Sequence, residues 1–209
     1  MNPLDSRWSV IRGKWPLRVK NSSGEVIPSF AVMRVTNWSN SNNEILYTVA
    51  KPDSTYRWQY LVNGPDAIGS GSSDEGIATF LSNGGPVYYN SGTPAYGERW
   101  GPTSGQWYLT QHRPGFHVQG ATTSSFNSKN ILVATQIPPG EVRVKNDSGG
   151  AVAADGSATM SMFGGSAGTT DIGFDVTLTN GSSTSWSTNK YGWATFDAGG
   201  LIFGAPHQT

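Results

Sequence analysis

The chain has no cysteine. That absence removes disulfide frameworks, thiol nucleophiles and thiolate zinc sites together, and it fits assembly in a reducing cytosol. Charge is scarce and balanced: 14 Lys and Arg stand against 14 Asp and Glu in 209 residues, for a formal net charge of zero. A protein that neutralises phosphates needs a basic face, so this balance argues against nucleic acid as a partner. Long apolar runs are missing as well. No stretch approaches the roughly 20 apolar residues of a membrane-spanning helix, and the opening MNPLDSRWSVIRGKWP has no apolar signal-peptide core. A soluble chain without a membrane partner is expected. Helical signatures are also lacking, since no segment of ordinary helix length carries a 3.6-residue apolar period.

What is present favours short strands. The 27 Gly and 12 Pro punctuate a chain that is 36% apolar, and extended segments recur between them. LRVKN alternates apolar with basic residues, SSGE supplies a turn, SFAVMRVTNW is rich in β-branched and aromatic residues, and SNSNN turns again before EILYTVAKP. YRWQYLVNG, GIATFL, GPVYYN, QWYLT, GFHVQG and NILVATQI continue the series. So do ATMSMFGG, IGFDVTLTNG, TSWSTNKYGWATFDAGG and LIFG. Closely spaced strands with Gly and Pro between them read as a sandwich or barrel. In IPPGE, residues 137–141, the paired prolines cannot donate to a ladder and hold the chain extended, which marks a boundary. The expected organisation is therefore all-β: an extended N-terminal arm over residues 1–13, a β-sandwich or barrel domain over 14–137 and a second small β module over 138–209.

One stretch occurs twice. RVKNSSG at 18–24 returns as RVKNDSG at 143–149, differing only at Ser22 and Asp147. Asn tolerates left-handed backbone, Ser and Asp fold their side chains onto nearby amides, and Gly accepts positive φ, so the repeat has a plain use as a strand followed by a turn. A ligand-binding reading would put Lys20 and Lys145 forward as contacts, yet no His or carboxylate recurs beside both. Scaffold is the favoured reading, with the two strands at equivalent places in their modules.

Reactive constellations are weak. The histidines are His112, His117 and His207. His112 and His117 flank a Pro-Gly turn in QHRPGFHVQG and could approach one another, but local hydrogen bonding is the commoner fate of such a pair. No HExxH, GxSxG, phosphate-binding glycine loop or paired-carboxylate spacing is present. SSDEG at 72–76 and AADGS at 153–157 lack the alternating acidic spacing of a calcium loop. No catalytic residue, metal site or cofactor is assigned.

Aromatic side chains carry a stronger signal. There are eight Trp, and RWGPTSGQWYL at 99–109 sets Trp100, Trp107 and Tyr108 around a loop. Exposed, they would anchor a partner or stack on a sugar; buried, they would pin the loop to a β core. Trp8 and Arg12 in the arm are candidate contacts of the same kind, because a free terminus orders when something ties it down.

The segments LRVKNSSGEVIPSFAVMRVTNW, KPD at 51–53, YLVNGP at 60–65, YGERWGPTSGQWYL at 96–109 and PGFHVQG at 114–120 resemble a group of virion structural proteins of tailed bacteriophages and prophages. The likeness covers roughly residues 15–135 and rests on an RVKN-x-SG-x-x-(I/V)P opening and a WGP-x-x-GQWYL segment. It implies a non-enzymatic component of a virion, made in the host cytoplasm, that docks on other capsid or tail proteins and forms a homo-oligomer. Among such roles a capsid decoration or cement protein ranks ahead of a neck, tail or fibre component, because a small β domain with an arm suits surface attachment. A carbohydrate-binding module for host recognition, with Trp100, Trp107 and Tyr108 as stacking platform, is the alternative from another class.

Overall fold

The structure, a computed structural model, describes residues 16–41, 44–56, 59–137, 140–165, 167–196 and 202–206. The described residues form strands and loops without a helix, so the all-β expectation holds. The expected arm and its two candidate contacts, Trp8 and Arg12, lie outside the described residues.

Three closed five-stranded sheets follow one another along the chain. The first contains β1 (Leu17–Asn21), β2 (Val32–Ser41), β3 (Glu44–Ala50), β4 (Leu61–Asn63) and β5 (Glu75–Thr79), in the order β1-β3-β2-β4-β5 with β5 closing on β1. The second contains β6 (Gly85–Tyr89), β7 (Arg99–Pro102), β8 (Leu109–Gln111), β9 (Phe116–Phe126) and β10 (Lys129–Gln136), in the order β6-β8-β7-β9-β10 with β10 closing on β6. The third contains β11 (Glu141–Lys145), β12 (Ser157–Gly164), β13 (Thr170–Asn180), β14 (Tyr191–Phe196) and β15 (Ile202–Pro206), in the order β11-β12-β13-β15-β14 with β14 closing on β11. β10 ends at Gln136, and β11, the first strand of the last barrel, begins at Glu141. The segment expected to be one sandwich or barrel, however, holds two barrels joined by only the short stretch between Thr79 and Gly85, which lacks any double proline.

Each barrel has one parallel pair: β1 with β3, β6 with β8, and β13 with β15. In the first two barrels the parallel pair is the first and third strands, and the connectivity is the same. The third barrel gives that connectivity when counted from β13, so that β13, β14, β15, β11 and β12 stand where β1 to β5 stand. It is a circular permutation of the others. The repeated RVKN strands therefore do not sit at equivalent places. β1 is parallel to one neighbour and antiparallel to the other, whereas β11 is antiparallel to both.

What the repeat shares is a turn built on a buried asparagine. The side-chain oxygen of Asn21 accepts from the Ser23 amide at 2.8 Å and hydroxyl at 2.8 Å, and its amide donates to the Glu25 and Gly69 carbonyls, each at 2.6 Å. Asn146 repeats this with Ser148, Gly150 and Trp186. Asn180, in TNGSS, does the same with Ser182 and the carbonyls of Val152, Ala153 and Thr184. All three are fully buried, where an amide must find partners for each polar atom. Asp147, the odd position of the repeat, uses its carboxylate to accept from the Ser161 hydroxyl and amide on β12.

Two apolar clusters fill the barrels. One runs through the second and third barrels and takes in Phe30, Val32, Tyr56, Tyr60 and Val62 from the first. The other fills the first barrel and includes Trp107, which comes from the loop between β7 and β8. Inward and outward side chains alternate as a half-buried strand requires: along β13, Ile172, Phe174, Val176, Leu178 and Asn180 are buried.

Backbone bonds tie the barrels in pairs. The Val32 amide donates to Trp107 O at 2.9 Å, and the Tyr88 amide to Phe30 O at 2.9 Å, joining the first and second barrels. Thr55 bridges Asp175 in parallel, with Tyr56 N donating to Asp175 O at 3.1 Å and Asp175 N to Ser54 O at 2.7 Å, joining the first and third. Gly165 N donates to His112 O at 3.2 Å, joining the second and third.

Candidate functional site

The loop aromatics face inward. Trp100 is fully buried at the centre of the second barrel, where its indole N–H donates to Glu98 at 3.1 Å and its ring meets Tyr89 edge-on at 5.3 Å. Trp107 is buried in the first barrel's cluster with Lys51 Nζ 5.6 Å above its ring. Tyr108 is half-buried and packs edge-on against Tyr88 at 5.6 Å. The structure brings none of the three together as an open platform. They pin the β7–β8 loop across the seam between two barrels, which is the structural alternative raised by the sequence.

The two histidines separate as well. His112 is exposed at positive φ and offers its carbonyl to Gly165. His117 is half-buried on β9 opposite Arg99, and its Nε2 is buried without a hydrogen-bond partner among the described residues. Burial, then the Arg99 charge, lowers its pKa below the usual histidine value. Among the described residues no three His, Asp or Glu side chains gather as a metal site would need. The two acidic turns are local: Asp74 accepts from the Gly71 amide at 2.8 Å, and Asp155 holds a positive φ.

Two features of the surface remain. The first is the hairpin of β2 and β3. β4 pairs with β2 only at Val32 and Met33, so from Arg34 onward β2 has β3 as its one neighbour among the described residues. The pairs Trp38 with Tyr47 and Asn40 with Ile45 put Trp38, Tyr47 and Ile45 on one face. Trp38 is 61% exposed and Ile45 47%. Exposed apolar groups that lie together, beside an unpaired strand edge, are what a partner protein covers.

The second is an open cleft of about 600 Å³ where the second barrel meets the third. Arg99, His112 and Arg113 line it from the second barrel; Glu141, Arg143, Phe163 and Trp193 line it from the third. Strand register explains the third barrel's wall. Arg143 lies directly across from Phe163 on β12 and from Trp193 on β14, and its guanidinium sits 4.6 Å from the ring of Tyr191. Arg113 donates to the Ile172 carbonyl, and its burial lowers its pKa from the usual arginine value without discharging it. Glu98, also on the rim, is committed to the second barrel: it accepts from the Ala95 amide, the Trp100 indole and Gln111, and the first two above all hold its carboxyl below the usual glutamate value. The ion pairs among the described residues, Arg18 with Glu44 and Glu75, Arg34 with Asp53, and Lys51 with Glu25, belong to the first barrel. Among the described residues no carboxylate forms an ion pair with Arg99, Arg113 or Arg143, and the largest charge effect on Arg113 comes from Asp171.

Sequence reading missed both features for one reason. In β14 the bulky residues Tyr191 and Trp193 point outward and the small ones, Gly192 and Ala194, point inward. Trp186 already occupies the interior, and a Cβ on Gly192 would lie 2.3 Å from its ring. Nothing in YGWATF by itself says that the barrel is filled from another segment. Trp38, at the end of an apolar strand, reads equally as core.

Comparison with protein-family models, with curated proteins and with solved structures finds no match.

Proposed function

We propose that this chain is a non-enzymatic structural protein of a tailed-phage virion, which attaches to other virion proteins through the β2–β3 hairpin. Capsid decoration is the preferred role, ahead of a neck, tail or fibre component. The observation that carries the reading is exposed Trp38 and Ile45, lying on one face with the half-buried Tyr47 beside the edge of β2 that is unpaired among the described residues. A strand edge left open on a barrel protein invites a partner strand, and an aromatic anchor beside it supplies the apolar area that makes such pairing persist. The RVKNSSGEVIP and WGPTSGQWYL segments supply the phage context by resemblance.

Compact barrels stitched by backbone bonds suit a protein that must hold its shape while bound to a larger particle. The platform of Trp100, Trp107 and Tyr108 required by the carbohydrate alternative is not open, because Trp100 and Trp107 are buried in the chain's own cores. The test is incorporation. Trp38→Ser combined with Ile45→Ser changes only exposed side chains, so the variant is expected to fold with unchanged thermal stability yet be lost from purified particles. Full occupancy of the variant would overturn the attachment surface.

A further inference from the structure

We propose that the cleft between the second and third barrels binds a saccharide that carries carboxylate groups, such as a uronic-acid oligosaccharide. The inference is independent of the virion role and uses residues apart from the β2–β3 hairpin.

The chemistry of the two walls leads to this ligand. Arg99, Arg113 and Arg143 line one concave space, and among the described residues no carboxylate forms an ion pair with any of them, although the Asp171 charge acts on Arg113 from a distance. Arg113 spends one donor on the Ile172 carbonyl, and Arg143 one on Ala167 at 3.4 Å. A guanidinium has five N–H donors in a planar fork that matches a carboxylate, so donors remain on each. Arg143 is also held in place between Phe163 and Trp193 and over Tyr191. Its orientation is set before a ligand arrives, which lowers the ordering cost of binding.

The rest of the wall selects among carboxylates. Trp193 is 39% exposed in the cleft, an aromatic face of the kind on which the C–H side of a sugar ring packs. Glu141, exposed at the rim, offers acceptors to hydroxyl groups. An acidic peptide would bring carboxylates too, but the strands at the cleft offer it no backbone edge: β11 is paired with both β12 and β14, and β14 with both β11 and β15. A ring with hydroxyls and a carboxylate fits every group on the walls.

Titration of the purified full chain with a galacturonate trimer, followed by NMR of the Trp193 indole N–H and by calorimetry, tests this. The expected result is a saturable shift of that resonance and a methyl-ester trimer that binds about tenfold more weakly, the loss of roughly one charge-assisted contact. Arg99→Gln should weaken the acid about tenfold and leave the ester unchanged, while Trp193→Ala should weaken both. Arg99 is exposed and makes no ion pair among the described residues, so its substitution reads binding rather than folding even if Trp193→Ala loosens the barrel. No shift with the acid trimer, equal affinity for acid and ester, or tighter binding of a hexaglutamate peptide would each overturn the proposal.

Discussion

Asn21 and Asn180 hold the same place in two barrels whose strands are joined in different orders. The amide of Asn21 donates to Asp74 O at 2.9 Å, the residue just before β5; the amide of Asn180 donates to Gly156 O at 2.9 Å, the residue just before β12. Asn63 and Asn146 are likewise equivalent, donating to Ala31 O and Lys190 O, just before β2 and β14. Beyond these turns the Ile27–Ile68 and Val152–Trp186 bridges close the two barrels in the same way. Each asparagine replaces a missing stretch of ladder with side-chain bonds, so the turn is fixed whichever strand it follows. Asn21→Ala would leave the Glu25 and Gly69 carbonyls without that partner, and a loss of about 3 kcal/mol in urea-unfolding free energy is expected. A loss below about 1 kcal/mol would contradict this role.

Asn63 is the incomplete member of the set. Its amide donates to Pro28 O at 2.8 Å and Asp66 O at 2.9 Å, but its oxygen is buried without a partner among the described residues. In the other three turns that oxygen accepts from a serine two residues on; here the position is Pro65, which has no N–H. Pro65→Ser is therefore expected to stabilise the protein by about 1 kcal/mol, the gain from satisfying a buried acceptor reduced by the lost rigidity of proline. Chemical denaturation of the variant checks it, and a decrease in stability would refute the assignment.

The Tyr56 hydroxyl is another buried group without a partner among the described residues. Its ring is packed edge-on against Tyr60, Phe174 and Phe196, and burial raises its pKa well above the usual tyrosine value. Tyr56→Phe keeps the ring and removes the hydroxyl, so thermal denaturation should show a gain of up to about 1 kcal/mol. A loss greater than about 1 kcal/mol would show that the hydroxyl is satisfied after all.

Acid should weaken the fold through His117. Its folded pKa lies below the unfolded value of 6.5, because of burial first and the Arg99 charge second. The unfolded chain therefore binds the proton more readily. Stability from this group is complete above pH 6.5 and declines as pH falls through the folded value. His117→Gln should flatten the fall in unfolding free energy as the pH drops below 6.5. Parallel profiles for the two proteins would contradict the assignment.

Gly164 tests the seam between the second and third barrels. A Cβ there would lie 2.6 Å from His112 O and 2.9 Å from the Ile172 side chain, so one barrel must move from the other. Gly164→Ala is expected to cost about 2 kcal/mol, as overpacking does, and to broaden resonances at Arg113 and Gly165. Unchanged stability would mean that the seam is loose.

Much of the architecture is legible from local pattern. Val19 and Val144 point inward, and Arg18 and Arg143 outward, as the alternation of RVKN requires. Gly24 and Gly149 take the positive φ expected of the turn, but Asn21 and Asn146 are not left-handed and act instead through their buried side chains. β7 is not, because Gly101 and Pro102 are turn signals. Gly101 is there since Pro114 O would stand 2.1 Å from its Cβ, and Pro102 ends the strand opposite Leu109. The division into barrels escapes for a related reason: strand pairing between distant segments decides where a sheet closes, and the first two barrels share packing across a short join that has no composition of its own. Trp193 and Arg143 as outward neighbours depend on a register between β11 and β14 that no local pattern encodes.

Quantitative mass spectrometry of gradient-purified particles from a phage or induced prophage encoding this chain tests the central claim most directly. The protein is expected at a fixed copy number relative to the major capsid protein, retained through a high-salt wash, because the proposed attachment is apolar and strand-to-strand rather than ionic. Recovery of the protein only in the soluble lysate, with none on intact particles, would contradict it.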